Sequence, residues 1–141
     1  MDRISTSQRS AIMAKIGGKN TAPEIAVRRA LHAAGFRFRL HHKELPGRPD
    51  VVLPKFHTAI FVNGCFWHGH SCPRGKLPTT NTEFWKAKIG ANKDRDTKNH
   101  RHLRQLGWSV YVVWTCKLEN GVGAILKKLR KRQKTGSFAP L

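Results

Sequence analysis

Acid is what this sequence has least of. Its 141 residues carry 8 Asp plus Glu against 27 Lys plus Arg, a formal charge of +19 at pH 7. So large an excess is more than solubility needs and points to a polyanionic partner, above all nucleic acid. The shortage also narrows a search. Any hard cation must draw on Asp2, Glu24, Glu44, Asp50, Glu83, Asp94, Asp96 and Glu119. Cysteine is scarce too. Three is an odd count and nothing marks the chain as secreted, so a disulfide framework is not expected. Met1-Asp2-Arg3-Ile4-Ser5 opens without an apolar leader core, and no run approaches the roughly 20 apolar residues of a membrane span. The expectation is a soluble, cytoplasmic protein without membrane contact. No internal repeat is visible. Ribosomal and histone-like proteins share the charge, but they seldom carry four tryptophans beside a cluster of metal-ligand residue types.

That cluster is Asn63-Gly64-Cys65-Phe66-Trp67-His68-Gly69-His70-Ser71-Cys72. It follows the apolar run Thr58-Ala59-Ile60-Phe61-Val62, which reads as a buried strand. Cys65 and Cys72 bracket His70, and each can supply a ligand to a tetrahedral zinc ion. The remaining cysteine, Cys116, follows a second apolar run, Trp108 to Trp114. If the two strands are parallel neighbours joined by the helical region between them, their C-terminal ends lie together. Cys116 then completes Cys65, His70, Cys72, Cys116. A closed four-ligand site is structural, since it leaves no position for substrate. The plain alternative is scattered buried thiols.

Taken in order, the chain opens with Ser5-Thr6-Ser7 capping a short helix through Ile16, then a break at Gly17-Gly18-Lys19-Asn20. Residues 1–20 read as an N-terminal arm, 21–134 as a single domain and 135–141 as a tail. Thr21-Ala22-Pro23-Glu24 is a capping box that starts a helix to about Ala34, stopped by Gly35. Phe36-Arg37-Phe38-Arg39-Leu40 alternates like a half-buried strand. Asn81 or Thr82 starts a helix holding Phe84, Trp85 and Ile89, and a second, basic helix runs from about Asn92 to Leu106. In it, Asp94 and Asp96 read as partners of neighbouring bases rather than metal ligands. The last helix carries Val122, Ile125, Leu126 and Leu129 at helical spacing and ends in a basic run, an addition to phosphate attraction rather than a reading element.

A second constellation follows from counting. Asp50 opens the strand Val51-Val52-Leu53, and a turn at Pro54-Lys55-Phe56-His57 returns the chain into the strand ending at Val62. In that hairpin Asp50 falls opposite Phe61 or Val62. It therefore shares an end of the sheet with Asn63 and His68. A lone aspartate is ordinarily a turn residue and a lone histidine a hydrogen-bonded one; their convergence makes Asp50 and His68 catalytic candidates.

Helix, three strands, helices, strand, helix is an αβββαβα order, an α/β (α+β) chain with a mixed sheet flanked by helices. It is similar to the core of the PD-(D/E)XK, restriction-endonuclease-like enzymes, though fold alone does not fix function. The motifs go further. Asn20-Thr21-x-Pro23-Glu24, Leu45-Pro46-Gly47-Arg48-Pro49-Asp50, Phe61-Val62-Asn63-Gly64-Cys65-Phe66-Trp67-His68-x-His70-x-Cys72, Phe84-Trp85-x-x-Lys88-Ile89, Asn92-x-x-Arg95-Asp96, Leu106-Gly107-Trp108 and Val113-Trp114-x-Cys116 together resemble the very short patch repair (Vsr) mismatch endonucleases, over about residues 5 to 118.

The resemblance implies an enzyme that nicks one strand of double-stranded DNA 5′ of the mispaired thymine in a T:G mismatch. Such mismatches arise when 5-methylcytosine deaminates. It implies that Asp50, with the backbone carbonyl of Val62, binds Mg²⁺. His68 becomes the general base or water-orienting group, and Glu24 supports the site through a hydrogen bond. Phe66, Trp67 and Trp85 enter the base stack beside the mismatch, while Cys65, His70, Cys72 and Cys116 hold structural zinc. It implies a monomer that works on the bacterial nucleoid and responds to a MutL-type repair protein. One departure is visible. The best-known pattern has Thr-His where this chain has Val62-Asn63. Val62 keeps the carbonyl, and Asn63 can hydrogen-bond a phosphate but cannot carry an imidazolium charge.

Two rival readings are separable. A non-catalytic zinc-stabilised DNA-binding module explains charge, zinc and aromatics but gives Asp50 and His68 nothing to do. A nuclease of the same fold with another substrate, such as a restriction enzyme, would cut fully matched duplex.

Overall fold

The structure, a computed structural model, describes residues 21–135. The expected arm (1–20) and the tail from residue 136 lie outside the described residues. The elements run α1 (Ala22–Ala33), β1 (Arg39–Leu40), β2 (Val51–Leu53), β3 (Thr58–Asn63), α2 (Thr82–Gln105), β4 (Ser109–Trp114) and α3 (Leu118–Thr135). Strand order is β1-β2-β3-β4. The first two pairings are antiparallel and β3 with β4 is parallel. This is the mixed sheet expected from the element order.

Local chemistry sets the ends of α1. The Thr21 hydroxyl accepts the Glu24 backbone N–H at 3.4 Å and Pro23 stands in the first turn. Val27 and Leu31, four residues apart, are buried. At the other end Gly35 takes φ 86°, and the N–H groups of Gly35 and Phe36 close on the carbonyls of His32 and Leu31. That double closure satisfies two of the carbonyls a helix end leaves open. It also explains why β1 is shorter than the alternation over 36–40 predicts. Phe36 is spent on ending the helix, so the ladder begins only at Arg39, although Phe36 is buried and Phe38 packs on the core as the pattern requires.

The sheet is covered on both faces. Val51, Leu53, Ile60 and Val113 meet Val27 and Leu31 of α1 and Ile125 and Leu129 of α3. On the opposite face Ala59 and Phe61 meet Leu103 of α2, with Val110, Val112 and Trp108 beside them. The alternation of β3 residues between the two clusters is the period-two geometry of a strand, and a strand covered on both sides reads as a continuous apolar run.

The sequence predicts two helices between β3 and β4; the structure has one. α2 runs unbroken from Thr82 to Gln105, about 36 Å at 1.5 Å per residue. Gly90 costs roughly 1 kcal/mol relative to alanine in a helix interior. Packing outweighs it, because Ile89 and Leu103 on either side are both buried. Gly107 (φ 95°) ends α2 by the same double closure, Gly107 N–H to Arg104 O and Trp108 N–H to Leu103 O.

Candidate active site and metal cluster

The β3–β4 register pairs Asn63 with Trp114, so the loops leaving both strands start side by side. Between β3 and the cluster the chain makes one tight turn: Cys65 O accepts from His70 N–H at 2.9 Å, Gly64 O from His68 N–H at 3.2 Å, and Gly69 takes φ 62°. The short turn Pro73–Gly75 then folds back on it. A Cβ on Gly75 would lie 1.9 Å from the His70 carbonyl oxygen, so this approach admits only glycine. Cys116 arrives from β4 as the parallel pairing requires. The donor atoms of Cys65, His70, Cys72 and Cys116 all lie within 4.8 Å of one another, and Cys116 Sγ is 3.4 Å from His70 Nδ1.

This set fits a tetrahedral ion with soft and borderline ligands, for which zinc-to-ligand bonds of about 2.0–2.3 Å put donors roughly 3.5–3.8 Å apart. Burial pushes the Cys65 thiol up, but hydrogen bonds from the Thr115 hydroxyl and the Cys116 backbone N–H, with the neighbouring thiols, outweigh it and bring it to about 6. A thiol poised to ionise suits a cation. Trp114, at the end of β4, stacks its ring on His70 with centroids 4.1 Å apart and planes 13° from parallel, which fixes the imidazole.

On the other side of the same loop lies a cavity of about 620 Å³ whose walls include Glu24, Asp50, Val62, Asn63, His68 and Asp96. Asp50 and His68, joined in the sequence by counting alone, do share a site. Asp50 sits across from Phe61, one step beyond the Val51–Ile60 pair, and its Oδ2 accepts the Val62 backbone N–H at 2.7 Å. Burial, opposed by that hydrogen bond and reinforced by the charge of Glu24, pushes its carboxyl up to about 6. Glu24 itself is buried at the start of α1 and held by Arg28, 3.0 Å away, and by His41 at 3.6 Å. Ligand atoms of Glu24, His41 and Asp50 lie within 4.8 Å of one another. Two carboxylates crowded in this way are relieved by a hard cation. Asn63 is buried at the end of β3 and faces the cavity.

Asp96 corrects the sequence reading. Its partner is not a neighbouring base on α2. Asp96 Oδ2 is 2.6 Å from His68 Nδ1, across 28 residues of chain. An ionised carboxylate can only accept, so Nδ1 carries the proton and Nε2 is left as the basic nitrogen. Asn92, one turn earlier, donates to the Trp67 carbonyl at 3.0 Å, and His100, one turn later, packs on Phe61. Ile89, Asn92, Asp96, His100 and Leu103 make one face of α2 at spacings of three and four. That stripe, free of Lys and Arg, was the signal for Asp96. The other face carries Lys86, Lys93, Arg95, Lys98 and Arg101, all exposed.

The aromatic residues form one group. Phe66, Trp67 and Trp85 meet edge to face with centroids 5.2–5.9 Å apart, and Phe84 extends the group from Trp85 at 5.1 Å. Trp67 is 45% and Phe84 59% exposed, while Phe66 and Trp85 are half-buried.

A carboxylate-rich cavity with a carboxylate-held histidine, on a chain this basic, is the equipment of a nucleic-acid-cleaving hydrolase. A family model described as DNA mismatch endonuclease Vsr matches residues 1–74. The type II nicking enzyme V.XorIIP of Xanthomonas oryzae pv. oryzae is 48% identical over 129 residues, 92% of this chain and 94% of its own. The type II nicking enzyme V.NmeAIP of Neisseria meningitidis is 49% identical over 119 residues, 84% of this chain and 85% of its own. The DNA mismatch endonuclease Vsr of Escherichia coli is 44% identical over 110 residues, 78% and 70% respectively. The chain belongs to the Vsr family and is a DNA endonuclease of that family.

Proposed function

We propose that this protein nicks one strand of duplex DNA 5′ of the mispaired thymine in a T:G mismatch, leaving a 3′-hydroxyl and a 5′-phosphate and so starting very short patch repair. The observation that carries the reading is the shared cavity of Asp50 and the His68–Asp96 pair, with Trp67 exposed beside it. Asp50, with the Val62 carbonyl, would hold Mg²⁺, which when bound supplies Lewis-acid stabilisation of charge on the phosphate. His68 takes the proton of the attacking water at Nε2. Asp96 keeps Nδ1 protonated and stabilises the imidazolium that forms. Glu24, held by Arg28 and His41, supports the site through a hydrogen bond. Asn63 hydrogen-bonds a phosphate oxygen.

Phe66, Trp67 and Trp85 act as a wedge. Unstacking a base step costs a few kcal/mol and less at a mismatch, so insertion favours the mispaired site. Cys65, His70, Cys72 and Cys116 would hold zinc, which keeps wedge and His68 on a rigid loop. The enzyme acts as a monomer on an asymmetric substrate, in the bacterial cytoplasm at the nucleoid, and answers to a MutL-type repair protein. No described helix is long and apolar enough to cross a membrane.

The test is cleavage of a labelled T:G duplex beside its C:G counterpart, with Mg²⁺ or with EDTA. Mg²⁺-dependent cutting 5′ of the mispaired T alone supports substrate, metal and reaction together. Cutting of the matched duplex would make it a nuclease of another specificity. Binding of both duplexes without cutting would leave a DNA-binding module.

A further inference from the structure

The cavity has an electrostatic problem. Its walls carry three carboxylates, Glu24, Asp50 and Asp96, and a DNA phosphate is itself an anion. Among the described residues that line it, only Arg48 is a lysine or arginine.

The backbone at Arg48 is unusual in the same sense. Leu45-Pro46-Gly47-Arg48 is a β-turn closed by the Arg48 N–H on the Leu45 carbonyl at 3.0 Å, with Gly47 at φ 77°, as a turn with proline second and glycine third demands. Arg48 then takes φ 49°, left-handed backbone where a long L side chain is strained and glycine is not. The turn is wedged in place. A Cβ on Gly47 would come within 3.0 Å of Asn99 on α2 and 3.2 Å of the Phe61 ring. Directly after it Pro49 is fully buried. The side chain of Arg48, by contrast, is exposed, and no hydrogen bond or ion pair of its guanidinium is found among the described residues. A rigid, strained backbone holding an unpartnered cation over an acidic cavity is a feature that function explains and stability does not.

We propose that Arg48 is a phosphate clamp: its guanidinium grips two non-bridging oxygens of a backbone phosphate in the nicked strand and seats that phosphate against Asp50. This rests on the reading above that the cavity accepts DNA. The planar fork of arginine matches two phosphate oxygens at once, and it offsets the repulsion that the three carboxylates would otherwise present.

The test compares wild type, Arg48→Gly and Arg48→Lys by thermal midpoint, single-turnover nicking of the T:G duplex, and salt dependence of binding to duplex DNA. Glycine accepts the positive φ without strain, so Arg48→Gly should melt at or above the wild-type temperature. It should still nick roughly 10- to 100-fold more slowly, the loss of one charge-assisted contact. Its slope of log K against log salt should be shallower by about 0.9, one phosphate's counterions. Arg48→Lys should regain the slope but only part of the rate, since an ammonium is a point charge. An Arg48→Gly protein with wild-type rate and slope overturns the proposal. So does one that melts lower and loses rate with its slope unchanged, which would assign Arg48 to the fold. The slope needs no cleavage: should wild type fail to nick T:G, the functional reading falls and the slope still decides on Arg48.

Discussion

Two clusters of metal-ready side chains lie at the same end of β3 and β4, on either side of one loop, and they are built on opposite plans. The first gathers three thiols and an imidazole, soft and borderline donors, into a closed set of four. The second gathers carboxylates around an open cavity with a histidine on its wall. Donor chemistry sorts the ions, soft against hard, and closure sorts the roles. A site with all positions filled can only hold structure; one with space can admit a phosphate. The loop divides its residues between them: Cys65, His70 and Cys72 to one side, Trp67 and His68 to the other. The closed cluster thus sets the position of His68.

Breaking the closed cluster should have the largest effect. Cys116→Ser should cost several kcal/mol, lowering the melting temperature steeply, and should abolish nicking although the cavity is untouched. A protein that keeps both its midpoint and its activity would show that the cluster is not a staple. Stripping the metal with a zinc chelator should reproduce the variant.

Breaking the open site should separate activity from stability. Asp50→Asn should end nicking and leave zinc content unchanged. Its effect on stability has a definite sign. Burial and Glu24 raise the Asp50 carboxyl from its usual 3.8 to about 6. Between those values the folded protein keeps a proton that the unfolded chain has released. Stability without added Mg²⁺ therefore falls as pH rises from about 4 to about 6, by at most about 3 kcal/mol, and stays low above. Asparagine removes that loss, so the variant should be the more stable one at pH 7–8 and indistinguishable near pH 3.5. Chemical denaturation across this range measures it, and a variant that is less stable at pH 8 would contradict the assignment.

Asp96→Asn should act more mildly, through the tautomer of His68. Nicking should slow by roughly 10²-fold while DNA affinity and melting temperature hold, and the pH–rate profile should change shape. An unchanged profile would reduce the pair to a surface contact. Smallest of all, Gly90→Ala should stabilise α2 by roughly 0.5–1 kcal/mol and leave nicking within about twofold, because a Cβ there meets nothing within 4 Å.

The same contrast explains what the sequence could tell. The closed cluster was legible because Cys65, His70 and Cys72 lie within one loop, and the parallel pairing of two apolar runs supplies Cys116. Asp50 was legible by counting out from the Pro54 turn, and the register places it as counted. Asp96 was not. It sits in a helix so crowded with charge that a local partner was the natural reading, and its true partner is far along the chain. Arg28 and His41 escaped for the same reason, since each is a common surface type and only the fold turns them onto Glu24. The expected division of α2 into two helices failed because propensity is local, whereas the burial of Ile89 and Leu103 that holds it together is not. The ladder of β1 shrank because the end of α1 competes for Phe36.

The most direct test of two separable sites is single-turnover nicking of a T:G duplex by Asp50→Asn protein, assayed on the same preparation for bound zinc. Two separable sites require full zinc, a melting midpoint at or above that of the wild type and no nick with Mg²⁺ present. Nicking near the wild-type rate, or loss of zinc along with activity, would contradict their separation.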